Sequence, residues 1–237
     1  MAGLEPWVIV VADGDGVPDA LPVALAEAAS AGVPRPLVIG ADGGARRALE
    51  LGVTPDLVVG DGDSVQVDTL AALARLGVPW ERSPVDKDES DTELCLRAAL
   101  LRDAGTIRIV GALGGPRVEH TIANLLLLAH PMLDGIDTAI VAPPSVIRRV
   151  GVVDGPGVLM IRGAPGDHLS LMAVDSAVEG VRTDGLRFPL RDEALVPGPA
   201  RGLSNELLTD VARVTTRRGR LLVIHTTRSE PGTENDP

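Results

Sequence analysis

Two aspartates separated by a single glycine, Asp61 and Asp63, are the side chains of this sequence best placed to do chemistry. The apolar, β-branched run at 57–59 predicts a buried strand that ends at Gly60. Ligands of an open parallel sheet bind beyond the carboxyl ends of its strands, so both carboxylates would project there. Paired carboxylates with no basic residue between them suit Mg²⁺. The same residues also suit a plain turn, and this stretch by itself does not separate the two hypotheses.

A second acidic cluster lies at 86–93, at the start of a predicted helix over 86–102. Ser90 and Glu93 fit a capping box, and acidic residues at a helix N-terminus complement the helix dipole. In a functional interpretation, Asp91 joins the first two aspartates on a metal ion and Lys87 lies near a phosphate. Both interpretations can hold, because a helix N-terminus is also an anion site.

A glycine-rich stretch at 111–115 follows a predicted strand and leads into a helix. Glycines at such a position let a ligand approach the backbone. Arg117 could grip phosphate oxygens with its forked guanidinium, and His120 and Asn124 share a helix face. A histidine here is also a common structural or capping group. The sequence has no Gly-x-x-x-x-Gly-Lys-Ser/Thr loop, which argues against an ordinary P-loop enzyme.

A further aspartate, Asp42, ends another predicted strand and is followed by Gly43 and Gly44 at a helix start. Alone, this pattern also fits a tight strand-to-helix turn. Four strand ends of one sheet would then carry chemically useful groups: Asp42, the Asp61 and Asp63 pair, Asp91 and Arg117. Metal-assisted phosphoryl transfer requires this combination of carboxylates that hold Mg²⁺ and cations that steady phosphates.

Strands alternate with helices over the first 142 residues, which predicts a parallel, doubly wound α/β sheet. After Pro143 and Pro144 the pattern changes to short strands separated by Gly and Pro turns, which predicts an antiparallel β-sandwich. The expected organisation is an α/β catalytic domain over 1–144, a smaller β-sandwich domain over 145–226, and a disordered tail over 227–237.

Composition narrows the class of protein. The 237 residues are 45% hydrophobic, and the net charge of −11 argues against general nucleic-acid binding, which needs a basic face. Cys95 is the only cysteine, so no intramolecular disulfide or thiolate metal cluster is expected. The sequence shows no signal-peptide pattern and no apolar stretch long enough for a membrane helix. We expect a soluble, cytoplasmic protein without nucleic-acid or membrane partners.

Taken in order, the motifs resemble those of the thiamin pyrophosphokinase family. The matching stretches are 41–45, 55–64, 87–93, 117–124, 185–190 and 202–206, and they cover nearly the whole chain. The resemblance implies a nucleotide-binding α/β domain followed by a β-sandwich, assembled as a homodimer. It also implies transfer of the pyrophosphoryl group of ATP to the hydroxyl of thiamin, which gives thiamin diphosphate and AMP.

The resemblance also implies roles for individual residues. Asp61, Asp63 and Asp91 would hold Mg²⁺ and the triphosphate, and Ser204 and Asn205 would help to bind thiamin near the dimer interface. Asp63 and Asp91 are both candidates for accepting the hydroxyl proton. The expected ATP- and phosphate-binding residues are Asp42, Gly43, Gly44, Lys87, Ser90, Arg117, His120 and Asn124.

The sequence departs from the family pattern at three places. Pro116 separates the glycine pair from Arg117, Glu119 replaces an aspartate, and no aromatic residue lies near Ser204 and Asn205 in the sequence to stack on thiamin. These departures leave two alternatives open. One is a pyrophosphokinase for another hydroxymethyl heterocycle, such as a pterin, and the other is a nucleotide or thiamin sensor without turnover.

Overall fold

The structure is a computed structural model that describes residues 6–63, 65–174 and 176–228. It divides into two compact units, Met1–Ala142 and Pro143–Pro237, two residues before the expected boundary. The sequence predicts a disordered tail from residue 227. The structure instead holds the first two residues of that tail: Thr227 donates its backbone N–H to the carbonyl of Pro144, and Arg228 donates to Asp167. Ser64 and residues 229–237 of the expected tail lie outside the described residues.

The first unit contains six strands that pair in parallel in the order β6-β5-β1-β2-β3-β4. Its strands are β1 Trp7–Val11, β2 Leu37–Ala41, β3 Leu57–Gly60, β4 Trp80–Arg82, β5 Thr106–Val110 and β6 Asp137–Ala142. Its helices are α1 Val17–Ser30, α2 Gly44–Glu50, α3 Val67–Leu76, α4 Asp91–Leu100 and α5 Val118–Leu127, with a 3₁₀ turn at Pro131–Leu133. The predicted parallel α/β sheet is confirmed. Its doubly wound arrangement stays a prediction.

Small and β-branched side chains build the core of this unit. Ala20 and Ala24 of α1 are fully buried against Ile9 and Val11 of β1 and their neighbours. The predicted helix over 86–102 begins five residues late, at Asp91. The reason is the cap: the Ser90 hydroxyl accepts the backbone N–H of Glu93 at 3.2 Å, which fixes the first turn there.

The second unit contains two four-stranded antiparallel sheets whose inner faces share one apolar core, so the predicted β-sandwich is confirmed. One sheet has the order β12-β9-β14-β7 and the other β11-β10-β13-β8. The strands are β7 Ser145–Val150, β8 Gly157–Arg162, β9 His168–Ala173, β10 Val178–Asp184, β11 Arg191–Leu195, β12 Asn205–Glu206, β13 Val211–Thr216 and β14 Leu221–Thr226, with a 3₁₀ turn at Ala200–Gly202.

Of the helices that the structure describes, none has the length and apolar character needed to cross a membrane.

A buried carboxylate makes the stability of the second unit depend on pH. Asp167 accepts hydrogen bonds from the backbone of Ala164 and Arg228 and pairs with His225 at 2.8 Å. Burial raises the pKa of Asp167, but these hydrogen bonds outweigh it and hold the pKa below its ordinary value. Asp167 therefore stabilises the fold above its unfolded-state pKa, and this contribution is lost as the pH falls through the folded-state value.

We expect Asp167→Asn to lower the free energy of unfolding by about 1–3 kcal/mol near neutral pH. The difference from the unmodified protein should narrow as the pH falls below the ordinary pKa of an aspartate and through the lower folded-state pKa of Asp167, where the carboxylate becomes protonated. Urea unfolding at several pH values measures both quantities. A difference that stays constant across this range would contradict the assignment.

Candidate active site

Three carboxylates meet at the carboxyl ends of two neighbouring strands. Asp42 follows β2, and Asp61 and Asp63 follow β3. Because β2 and β3 pair in parallel, both strands end at the same edge of the sheet. One carboxylate oxygen of each aspartate lies within 4.8 Å of the others. This aspartate cluster is the group of oxygen ligands that a hard divalent cation prefers.

The backbone fixes Asp42 beside the other two aspartates. Asp42 adopts a positive φ of 44°, donates its N–H to the carbonyl of Val59 at 3.0 Å, and is only 3% exposed. Its Oδ1 accepts the backbone N–H of Gly62 at 3.0 Å. The loop after β3 is therefore hydrogen-bonded directly to the residue that follows β2. Trp80 fixes the start of this loop, because its indole N–H donates to the carbonyl of Gly60, the last residue of β3, at 3.1 Å.

The pKa values within the cluster move in opposite directions. The backbone N–H of Asp63 donates to Asp61 at 3.0 Å and, together with Lys87, holds the pKa of Asp61 below its ordinary value despite partial burial. The charge of Asp61, then lost hydration and the charge of Asp42, raise the pKa of Asp63. The cluster thus carries more negative charge than its neighbours offset, and a bound cation would relieve the repulsion.

Lys87 links the cluster to Asp91, the first residue of α4. Its ammonium lies 3.1 Å from Asp61, 2.9 Å from Asp91 and 3.1 Å from the Ser83 hydroxyl. Burial lowers the pKa of Lys87, but hydrogen bonds to Asp91 and Asp61 outweigh it and leave the pKa raised. The structure therefore places Asp42, and not Asp91, beside Asp61 and Asp63. Asp91 joins them through Lys87, and its role as a metal ligand stays a prediction.

Packing against the backbone requires the second glycine after Asp42, and a movable side chain restricts the space at the first. A Cβ on Gly44 would overlap the carbonyl of Val11 in β1, and one on Gly43 would overlap the carboxylate of Asp13. These contacts explain why α2 begins with glycines close to β1. A role of Gly43 and Gly44 in ATP binding stays a prediction.

The glycine-rich stretch after β5 leads to Arg117, which precedes α5. Arg117 is 66% exposed, and its Nε donates to Glu119 at 2.8 Å. His120 is also exposed. Asn124 is buried and donates its amide N–H to the carbonyl of Ala112 at 2.9 Å, so its side chain ties α5 to the end of β5. Within the described ranges, no ion pair joins Arg117 to the aspartate cluster.

Two further aspartates, Asp13 and Asp15, hold the loop after β1 against its neighbours. Asp15 accepts the backbone N–H of Gly115 at 2.8 Å, and Asp13 pairs with Arg47 at 2.9 Å and Arg46 at 3.3 Å. In the sequence these aspartates predict only a turn. Like Asp61 and Asp63, they follow a predicted strand, and this position could have indicated that they lie near the site.

We expect Asp15→Ala to raise the KM for the phosphate donor several-fold and to change kcat less, because the freed Gly115 loop carries Arg117. Asp15→Asn is the matched control, since an amide oxygen still accepts the Gly115 N–H. Steady-state kinetics of both variants tests the expectation. Equal kinetics for Asp15→Ala and the unmodified protein would show that Asp15 has no positioning role.

In the second unit, one of the two residues expected to bind the acceptor, Asn205, is hydrogen-bonded to the backbone of an aromatic residue. Asn205 is buried, donates its amide to the carbonyl of Phe188 at 2.7 Å and accepts the Phe188 N–H at 2.9 Å. Ser204 adopts a positive φ of 56° and donates its N–H to Ser170 at 3.1 Å. The Phe188 ring is 56% exposed, with Arg187 5.5 Å from its centre. An aromatic residue that is remote from Asn205 in the sequence is thus held next to it in the fold.

Comparisons with known proteins match both units of the chain to one family. The family model for the thiamin pyrophosphokinase catalytic domain matches residues 34–140, and that for the vitamin B1 binding domain matches 159–221. The thiamine pyrophosphokinase of Bacillus subtilis is 24% identical over 192 residues, which cover 81% of this chain and 87% of that protein. Thiamine pyrophosphokinase 1 of Oryza sativa subsp. japonica is 24% identical over 68% of this chain and 62% of its own length.

Solved structures share the fold. The Bacillus subtilis thiamine pyrophosphokinase superposes with a TM-score of 0.79 at 23% identity, over 94% of this chain and all of that one. A thiamin pyrophosphokinase family protein from Enterococcus faecalis superposes with a TM-score of 0.75 at 25% identity, with the same coverage. Because the two domain models together match well over half of its residues, the chain belongs to the thiamin pyrophosphokinase family and is a diphosphotransferase.

Proposed function

We propose that this protein transfers the pyrophosphoryl group of ATP to the hydroxyl of thiamin and releases thiamin diphosphate and AMP. The observation that carries the proposal is the aspartate cluster, whose carboxylate oxygens lie within 4.8 Å of one another at the ends of β2 and β3. A hydroxyl that attacks a phosphorus atom in line needs its surrounding charge neutralised and its partners held in place. Family membership supports ATP as the donor and thiamin as the acceptor.

The residues fit a magnesium ion. Mg²⁺ prefers oxygen ligands and is commonly held by one or two carboxylates together with substrate phosphates. Asp61 and Asp63 would hold it, with Asp42 or Asp91 as the third carboxylate. When bound, it would neutralise phosphate charge and orient the triphosphate.

The remaining polar groups have roles that follow from their positions. Lys87, already between two carboxylates, would lie near the phosphates, and the N-terminus of α4, where Ser90 caps only the Glu93 N–H, would offer its other backbone N–H groups to an anion. Arg117 would offset charge on the transferred group with its exposed guanidinium. Asp63 and Asp91 are both retained as groups that orient the acceptor hydroxyl or accept its proton.

The acceptor would bind in the second unit through Phe188. An exposed aromatic ring held by Asn205 offers a flat apolar surface for a heterocycle, and a cationic thiazolium is also attracted to its face. In this proposal Asn205 positions Phe188, and Ser204 contacts the acceptor.

Phe188→Ala should raise the KM for thiamin by about tenfold or more, since loss of a stacking surface costs about 1–2 kcal/mol of binding. Phe188→Trp, which keeps an aromatic face, should stay within a few-fold of the unmodified protein. The KM for ATP should change little in both variants. Equal thiamin KM values for the alanine variant and the unmodified protein would exclude Phe188 from the acceptor site.

The decisive experiment for the proposed reaction measures AMP production from ATP and Mg²⁺ with and without thiamin. AMP that rises with thiamin and is matched by thiamin diphosphate is the expected result. AMP formed only with a pterin alcohol would reassign the acceptor. Tight ATP binding without AMP from any acceptor would make the protein a sensor.

The proposal includes a homodimer that acts in the cytoplasm. Sedimentation velocity of the purified protein tests the first part, with a mass near twice the 24.5 kDa of one chain as the expected result. A monomer that is fully active would contradict it.

A further inference from the structure

The outer face of the sheet β11-β10-β13-β8 forms an open cavity of about 600 Å³. Three arginines line it, against one aspartate. The lining residues that bear on the argument are Arg182, Asp184, Arg191, Arg213 and Thr215. On a chain whose net charge is −11, this cavity is a local concentration of positive charge.

The strand register places the arginines close to one another. Arg182 of β10 lies directly opposite Arg191 of β11, and Thr215, two residues after Arg213, lies opposite Arg182 on the other side. Directly opposite side chains have Cβ atoms about 5 Å apart, and like charges at such positions destabilise a sheet. The cavity wall thus holds two guanidinium groups that repel each other, and an anion bound between them would attract both.

Few of the carboxylates that the structure describes pair with these guanidinium groups. Arg182 lies 3.6 Å from Asp192, which also pairs with Arg217 at 3.2 Å. Within the part of the chain that the structure describes, neither Arg191 nor Arg213 forms an ion pair.

From the facing arginines and the concave wall, we propose that this cavity binds a small molecule that carries a diphosphate group. Guanidinium forks bind phosphate oxygens in pairs, and arginines from two neighbouring strands can reach adjacent phosphates. Asp184 lies opposite Arg213 in the same wall. Its negative charge keeps the positive area small, which suits a compact anion. The site lies entirely within the second unit, so it does not depend on the reaction proposed for the aspartate cluster.

The test is calorimetric titration of the full chain with inorganic pyrophosphate in the presence of a chelator. Without metal ions, the aspartate cluster repels pyrophosphate, so binding there is suppressed. The double variant Arg191→Ala/Arg213→Ala should bind at least about tenfold more weakly than the unmodified protein. Arg162→Ala is the matched control, because Arg162 is an exposed arginine of the same sheet outside the cavity wall, and it should bind normally. Added salt should weaken binding by the unmodified protein.

Three results would overturn the proposal. These are no binding of millimolar pyrophosphate by the unmodified protein, unchanged binding by the double variant, and an equal loss in Arg162→Ala. If the double variant changed the sedimentation coefficient while its pyrophosphate affinity stayed the same, the cavity would be an interface between copies of the chain. The double variant Arg191→Lys/Arg213→Lys keeps the charge but loses the forked guanidinium groups, so it should show an intermediate affinity. It provides the measurement if the alanine variant does not fold.

Discussion

Asp63→Asn is expected to lower the rate of AMP formation by at least about a thousandfold, equivalent to about 4 kcal/mol of transition-state stabilisation. The free energy of unfolding should stay the same or rise slightly, because Asp63 is repelled by Asp61 and Asp42 and its pKa is raised. Removal of its charge therefore weakens the proposed metal site and relieves repulsion in the fold. Steady-state kinetics and urea unfolding of one protein preparation measure the two effects together.

Two further variants sharpen this prediction. Asp61→Asn should also lose activity, but with some loss of stability, because Asp61 accepts the Asp63 N–H and pairs with Lys87. Asp154→Asn, which removes an exposed carboxylate from the second unit, should change neither quantity. An Asp63→Asn protein that is unfolded, or one that is folded and fully active, would contradict the assignment of the aspartate cluster.

Gly44→Ala should destabilise the first unit by about 3 kcal/mol or more. The added methyl group would overlap the carbonyl of Val11, so α2 would have to move away from β1. Since α2 begins two residues after Asp42, the displacement would also disturb the aspartate cluster. Thermal unfolding should show a clear fall in midpoint, with a fall in activity at temperatures where the variant stays folded.

Gly135→Ala is the control for this substitution. Gly135 has a positive φ of 86° but open space around its Cα, so alanine there meets only backbone strain of about 1 kcal/mol. If Gly44→Ala were no more destabilising than Gly135→Ala, close packing against β1 would not explain the glycine.

Much of the fold could be predicted from local patterns. Continuous apolar strands such as β1 and β5, each followed by a glycine or acidic turn, indicated the parallel sheet because burial on both faces leaves this pattern. In the second unit the pattern of β13 is weaker, because only half of Val211–Thr216 is apolar, although its side chains alternate between buried and more exposed positions. A short strand of mixed composition is hard to distinguish from a loop.

The site was predicted less completely, because its decisive contacts are long-range. That Asp42 lies beside Asp61 depends on the register of β2 and β3 and on a positive φ, neither of which a sequence displays. The contact between Phe188 and Asn205 joins residues 17 positions apart through a turn of the sandwich. Sequence spacing could identify some of these residues as candidates, but their proximity follows only from the fold.

The hydrogen bond between Trp80 and Gly60 has a consequence for spectroscopy. The chain has two tryptophans and no tyrosine, so its near-ultraviolet emission comes almost entirely from Trp7 and Trp80. Trp7 is the first residue of β1, so it lies at the amino-terminal ends of the parallel strands, away from the aspartate cluster at their carboxyl ends. The indole of Trp80, in contrast, is hydrogen-bonded to Gly60, directly before Asp61. With Trp7 replaced by phenylalanine, Trp80 would be the single tryptophan, hydrogen-bonded beside the candidate metal-binding loop. Its fluorescence could then report ligand binding there without an added dye.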